Sequence, residues 1–148
     1  TNVANYSPLQ RANPDPLPDS YYQYNPARDE LSYVTYLSQS LRNYGFNDPH
    51  FLIDTSRNGN PVSRQVWGNW CNVRQAGIGE RPRVNPYAGV DALVWIKVPG
   101  ESDGTSDPNA PRFDKSCQSI DSSEGAPQAG EWFHEQLIRL IERAQPPL

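Results

Sequence analysis

The chain has no methionine, two cysteines and two histidines among its 148 residues, and each scarcity closes off a class of function. Two cysteines are too few for a zinc ribbon, which needs four ligands. His50 and His134 lie in strand-like and helix-like contexts with no serine or cysteine partner in view, so each reads as a satisfied structural residue. There is no G-x-S-x-G and no phosphate-binding glycine loop. No apolar run approaches the roughly twenty residues of a membrane helix, so no membrane partner is expected. Basic residues are not clustered, and a net charge of −4 repels phosphate backbones, so no nucleic-acid partner is expected either. Thr1 is not an initiator residue, and the reading is of a mature piece or a fragment.

What is abundant is polar and turn-forming. Fifteen prolines and a 36% hydrophobic fraction, together with many Ser, Asn, Gln and Tyr, describe a loop-rich globular surface. The opening 26 residues read as a few strand-like positions followed by a long irregular loop. "RDELSYVTYLSQSLRNYGF" then places Leu31, Val34, Leu37 and Leu41 on one helical stripe, with Gly45 as its stop. "HFLID" (50–54) reads as a short buried strand, and "DALVWIK" (91–97) as the strongest strand. Residues 65–90 show no clear period. A loop of about thirty residues, 98–130, precedes a last helix in "EWFHEQLIRLIERA", whose apolar face would carry Trp132, Phe133, Leu137, Leu140, Ile141 and Ala144. The order suggests α/β architecture with parallel strands. Two buried strands cannot close such a sheet, so the chain reads as the C-terminal part of a larger α/β domain.

In α/β domains sites gather at the carboxyl ends of strands, and both strand ends turn polar here. Asp54, Ser56, Arg57 and Asn58 follow the first, and Lys97, Glu101 and Asp103 follow the second. If the strands are neighbours, Arg57 and Lys97 flank the carboxylates, and neighbouring cations favour a carboxylate's charged form. A positioned carboxylate can act as a base toward water, and a Lys–Glu pair can hydrogen-bond a polyhydroxylated substrate. A surface ion-pair cluster reads the same residues equally well. "ESDGTSD" lacks the residue order of a calcium loop, so no metal is expected. Trp70, in "WGNWCNV", is either a platform for a sugar ring or a core tryptophan beside a cysteine. Trp67, Trp95 and Trp132 fit core roles better. Cys71 and Cys117 allow one pairing, and spacing leaves both a disulfide and two buried thiols open.

"TNVANY", "DTSRNG", "WGNWCN", "DALVWIKVPGESDGTSD", "PRFDKSC" and "APQAGEWF" occur in that order. Together they resemble the C-terminal portion of the glycoside hydrolase family 6 catalytic domain, the inverting β-1,4-glucanases that include fungal cellobiohydrolases. The resemblance runs from Thr1 to Leu148 and implies the C-terminal part of a distorted (β/α) barrel, incomplete in this chain. It implies Asp103 as the catalytic base and Arg57 as the arginine beside it. It also implies Lys97, Glu101, Asn5 and Trp70 as substrate-binding residues, and a Cys71–Cys117 disulfide. Many relatives read "KPGGE" where this chain has "KVPGE", which keeps the Lys-to-Glu spacing. Asn5 also heads an N-Y-S glycosylation sequon, and a substrate role requires it to be unmodified.

The implied partner is cellulose or a cello-oligosaccharide, bound by a secreted, extracellular protein that is monomeric at full length and uses no cofactor. Inverting hydrolysis needs a carboxylic acid and a base about 6.5–9.5 Å apart. No segment here matches the family's acid, so the isolated chain is expected to be inactive. The long 98–130 loop favours cellobiose release by an exo-acting enzyme. An endo-acting glucanase of the same family and a non-catalytic glucan-binding protein are the alternatives.

Overall fold

The computed structural model describes residues 6–148. Its regular elements are α1 (Glu30–Asn43), β1 (Phe51–Asp54), β2 (Arg83–Tyr87), β3 (Val90–Val94) and α2 (His134–Glu142), with 3-10 turns at Asp19–Tyr22 and Lys115–Gln118. The strands form one mixed sheet in the order β1-β3-β2. β1 and β3 are parallel neighbours, as expected, and β2 is antiparallel to β3.

β2 is the element that sequence patterning missed. Pro86 cannot donate to a ladder and Asn85 takes a positive φ of 46°, so the run "RVNPY" lacks alternation. Register breaks between Val84 and Tyr87, as a bulged edge strand tolerates. The turn after it closes on Gly89 at φ 75°, a conformation that favours glycine.

α1 begins where its chemistry dictates. The Asp29 carboxylate caps it by accepting from Ser32 N at 2.6 Å. At the other end Gly45 adopts φ 91°, and the Phe46 N–H reaches back to the Leu41 carbonyl, the bonding of a Schellman stop. Val34 packs with Ile53, Val90 and Leu93, and Leu31 and Phe51 border that cluster. A second small core joins Tyr6, Val73, Ala76, Ile78, Leu140 and Ala144, with Trp95 against it. Trp95 is half-buried, and its indole N–H donates to the Glu80 carbonyl at 3.0 Å.

Several boundaries differ from the sequence reading. β3 ends at Val94, and Ile96 is exposed rather than buried. The reason is Asp54, whose Oδ2 accepts from Lys97 N at 3.0 Å and draws the chain off the ladder. α2 starts at His134 rather than 131, because residues 130–133 bond to the loop before Asp103. Phe133 N donates to Gly100 O at 2.7 Å, and Ser102 N donates to Glu131 O at 2.8 Å. Trp132 and Ile141, expected in the core, are exposed, whereas Phe133, Leu140 and Ala144 are buried. His134 is exposed at the start of α2, and His50 is also exposed, tied to Asp91 at 2.6 Å. That hydrogen bond raises its imidazole above the ordinary value.

The 98–130 loop is held by a Cys71–Cys117 disulfide across 46 residues of separation, so the two-thiol alternative is excluded. Glycine serves close approach in the 55–80 region. A Cβ on Gly77 would lie 2.0 Å from the Arg143 carbonyl oxygen, and one on Gly59 2.1 Å from that of Ile78. The Gly77 contact ties the segment after β1 to the end of α2. Gly77→Ala is therefore expected to destabilise the fold by about 1–3 kcal/mol, read as a lower denaturation midpoint. Gly68→Ala, where nothing lies within 4 Å, should leave that midpoint nearly unchanged.

Candidate active-site cleft

The sheet brings both polar strand ends together. Thr55 N continues the ladder to Val94 O at 2.9 Å, and two residues further on Arg57 turns inward, 2% exposed. Its Nη1 donates to Asp103 Oδ1 and Oδ2, each at 2.8 Å. Lys97 Nζ lies 3.5 Å from Asp103 Oδ1 and donates to Glu101 Oε1 at 2.8 Å. Arg57, Lys97, Glu101 and Asp103 thus form one row. The Asp103 side chain is 7% exposed, so a surface ion-pair cluster does not describe it.

A buried anion is tolerated only when its lone pairs are filled, and two residues that the sequence reading missed, Tyr6 and Asn72, help fill them. The Tyr6 hydroxyl donates to Asp103 Oδ2 at 2.9 Å and accepts from Arg57 Nη1 at 3.0 Å. Burial pushes the Tyr6 phenol well above its usual range, so it stays a donor. Asn72 N donates to Asp103 Oδ2 at 2.9 Å, while Asn72 Oδ1 accepts from Asp103 N at 2.7 Å. Asn72 Nδ2 donates to Gly104 O at 2.7 Å, and Gly104 N donates to Ser102 Oγ at 3.1 Å. Asn72 takes φ 41°, a conformation that asparagine adopts more readily than most residues. Its place in "WCN" and Tyr6's place next to Asn5 were the signals available in the sequence.

Next to Asn72 and the disulfide stands Trp70, half-buried at the wall of a cleft of about 610 Å³. Trp67, Tyr33, Arg64 and Glu30 line the same cleft. Trp70 thus adjoins the disulfide and also borders open space. Trp67, expected in the core, is a cleft residue. Asn5 lies outside the described residues. Among those residues no group of three His, Cys, Asp or Glu side chains could hold a metal ion, and no helix is long and apolar enough to cross a membrane.

The model for glycosyl hydrolases family 6 matches residues 1–144. Exoglucanase 3 of Agaricus bisporus is 43% identical over the whole chain, which covers 33% of that protein. The 1,4-beta-D-glucan cellobiohydrolase C of Emericella nidulans is 46% identical over 99% of the chain and 31% of its own length. The chain thus spans about one third of the curated relatives it matches. Among solved structures, cellobiohydrolase II (Cel6A) from Humicola insolens, in complex with glucose and cellotetraose, superposes with a TM-score of 0.89 at 41% identity. It covers the whole chain and 40% of its own.

Glu30 supplies a pH test of the cleft. It is 6% exposed, and burial pushes its carboxyl up to about 7, with Asp29 and Asp54 adding to the rise and Arg64 opposing it. Below pH 4.5 Glu30 is protonated folded or unfolded and does not affect stability. Between 4.5 and 7 the unfolded chain releases the proton first, so stability falls with rising pH, by roughly 3 kcal/mol at most. Denaturant midpoints at pH 5 and pH 7.5 should show that fall in the wild type and a smaller one in Glu30→Gln. Equal pH dependence in the two proteins contradicts it.

Proposed function

Since the chain belongs to the glycosyl hydrolases family 6, we propose that it is the C-terminal portion of a catalytic domain that hydrolyses β-1,4-glucosidic bonds in cellulose with inversion. The domain is a distorted (β/α) barrel, of which the parallel β1/β3 pair would be a part. The observation that carries the reading is the set of donors converging on Asp103, one of them from Asn72, two residues after the cleft residue Trp70. An oxygen fixed by Arg57, Tyr6 and Asn72 cannot swing away from its task, and such preorganisation is what a base toward water requires.

The two oxygens are not equivalent. Oδ2 accepts from Tyr6, Asn72 and Arg57, whereas Oδ1 accepts from Arg57 and faces Lys97 at 3.5 Å. Oδ1 has the remaining acceptor capacity and takes the proton of the attacking water. Water adds to the anomeric carbon on the face opposite the leaving oxygen, and that oxygen receives a proton from a second carboxyl. The second carboxyl comes from the part of the domain that the relatives carry outside the matched third. Lys97 and Glu101 bind glucose hydroxyls, Trp70 stacks against a sugar face, and Asn5 contributes a further hydrogen bond.

The names of the relatives, exoglucanase and cellobiohydrolase, and the long disulfide-held 98–130 loop support release of cellobiose. The disulfide also suits an oxidising, extracellular compartment, and the full-length protein acts as a monomer. Proton NMR of the full-length protein acting on cellotetraose tests the chemistry: the α-anomer of the product should appear before mutarotation equilibrates it, and β-anomer first contradicts inversion. The purified 148-residue chain should show no turnover of the same substrate, and steady hydrolysis by it would refute the need for a second carboxyl from elsewhere.

A further inference from the structure

Asp121 is buried at 5% exposure, on the 98–130 loop four residues past Cys117. Its carboxylate is filled by one turn of a distant loop. Oδ1 accepts from Gln65 N at 2.9 Å, and Oδ2 accepts from Val66 N at 3.2 Å and from Asn69 Nδ2 at 2.6 Å. The turn also closes on itself, with Asn69 N donating to Val66 O at 3.1 Å. Bonds to an ionised acceptor are about twice as strong as neutral ones, so the carboxylate holds residues 65–69 firmly.

The turn is gripped from a second side by Arg64, which is 7% exposed. Its Nη1 donates to the Trp67 carbonyl at 2.6 Å and to that of Asn69 at 3.2 Å. N–H groups of the turn thus meet an anion, and its carbonyls meet a cation. Burying two charges costs desolvation that an ordinary surface turn does not incur, and what it provides here is one fixed geometry. The turn carries Trp67, and Trp70 follows it directly; both line the cleft of about 610 Å³.

Through its backbone Asp121 holds a different segment. Its carbonyl accepts from Arg74 N at 2.8 Å, and Ser123 N donates to Asn72 O at 2.9 Å. Those bonds do not involve the carboxylate, so Asn72 keeps its place at Asp103 when the side chain is changed. We propose that Asp121 is a positioning residue for substrate binding, its carboxylate fixing through the 65–69 turn the angle at which Trp70 meets the sugar. The proposal rests on Trp70 stacking against a glucose ring, and its test keeps the two apart. Arg64 makes a poorer probe, because its guanidinium also lies 5.7 Å from the Tyr6 ring.

In the full-length protein, Asp121→Asn keeps the shape and leaves one acceptor oxygen where the turn uses two. Its calorimetric affinity for a thio-linked cellotetraose should fall by about three- to tenfold, with kcat on cellotetraose unchanged. The double variant Asp121→Asn/Asn69→Asp reverses the polarity of the bond, the new amide donating to the new carboxylate, and should recover most of the lost affinity. An equal fall in kcat, or no recovery in the double variant, overturns the proposal, because a residue that only supports the fold behaves that way. Should Asp121→Asn fail to fold, Asn69→Ala removes one bond to Oδ2 from a half-buried residue; lower affinity at unchanged kcat upholds the proposal, and wild-type affinity overturns it. Trp70→Ala separates the two readings. Reduced affinity there with none lost in Asp121→Asn overturns the role of Asp121 alone, whereas wild-type affinity in Trp70→Ala overturns the stacking and the proposal with it.

Discussion

The bond between Arg57 and Asp103 is the constraint around which this chain is arranged. Both side chains are almost fully buried, so neither has water to fall back on, and removing one would strand the other at a cost of about 3–5 kcal/mol. The surroundings therefore have to deliver donors to Asp103 from three separate stretches of sequence. Tyr6 comes from the start of the described chain, Arg57 from the loop after β1, and Asn72 from the loop that also carries Trp70. The parallel pairing of β1 and β3 aligns the ends from which Arg57 and the Asp103 loop depart.

The remaining loop structure keeps those stretches in place. The disulfide joins Cys71, next to Asn72, to the 98–130 loop. Gly104 passes so close that a Cβ would sit 2.9 Å from Cys117 Sγ. Backbone bonds from residues 130–133 hold the other side of the Asp103 loop. A loop of this length is normally costly to order, and here the covalent link and the two-sided hydrogen bonding offset that cost. The same stretch of chain carries Trp70, two residues before Asn72, to the wall of the cleft.

Much of this was legible in the residues. The α1 stripe and its Gly45 stop, the two parallel strands, and the convergence of Arg57 and Lys97 on Asp103 follow from periodicity and from the polar turn at each strand end. The disulfide and the individual roles came from resemblance, since spacing alone left the cysteines open. β2 was hidden because Asn85 and Pro86 interrupt its alternation, and the early end of β3 because a side chain, Asp54, takes over the pairing of Lys97. Tyr6 and Asn72 were hidden for a different reason. Their contacts with Asp103 span 97 and 31 residues, and no local pattern reports such distances. Trp132 was misread because a helical apolar face was extended over residues whose backbone bonds elsewhere.

The central claim is that Asp103 is an anchored base facing a glucan cleft, and its most direct test separates chemistry from binding in one variant. In the full-length protein, Asp103→Asn keeps the shape and removes the charge. Its kcat on cellotetraose should fall by about 10²–10⁴-fold, while its affinity for a thio-linked tetramer stays within a few-fold of wild type. A folded Asp103→Asn protein that retains wild-type kcat would contradict the account.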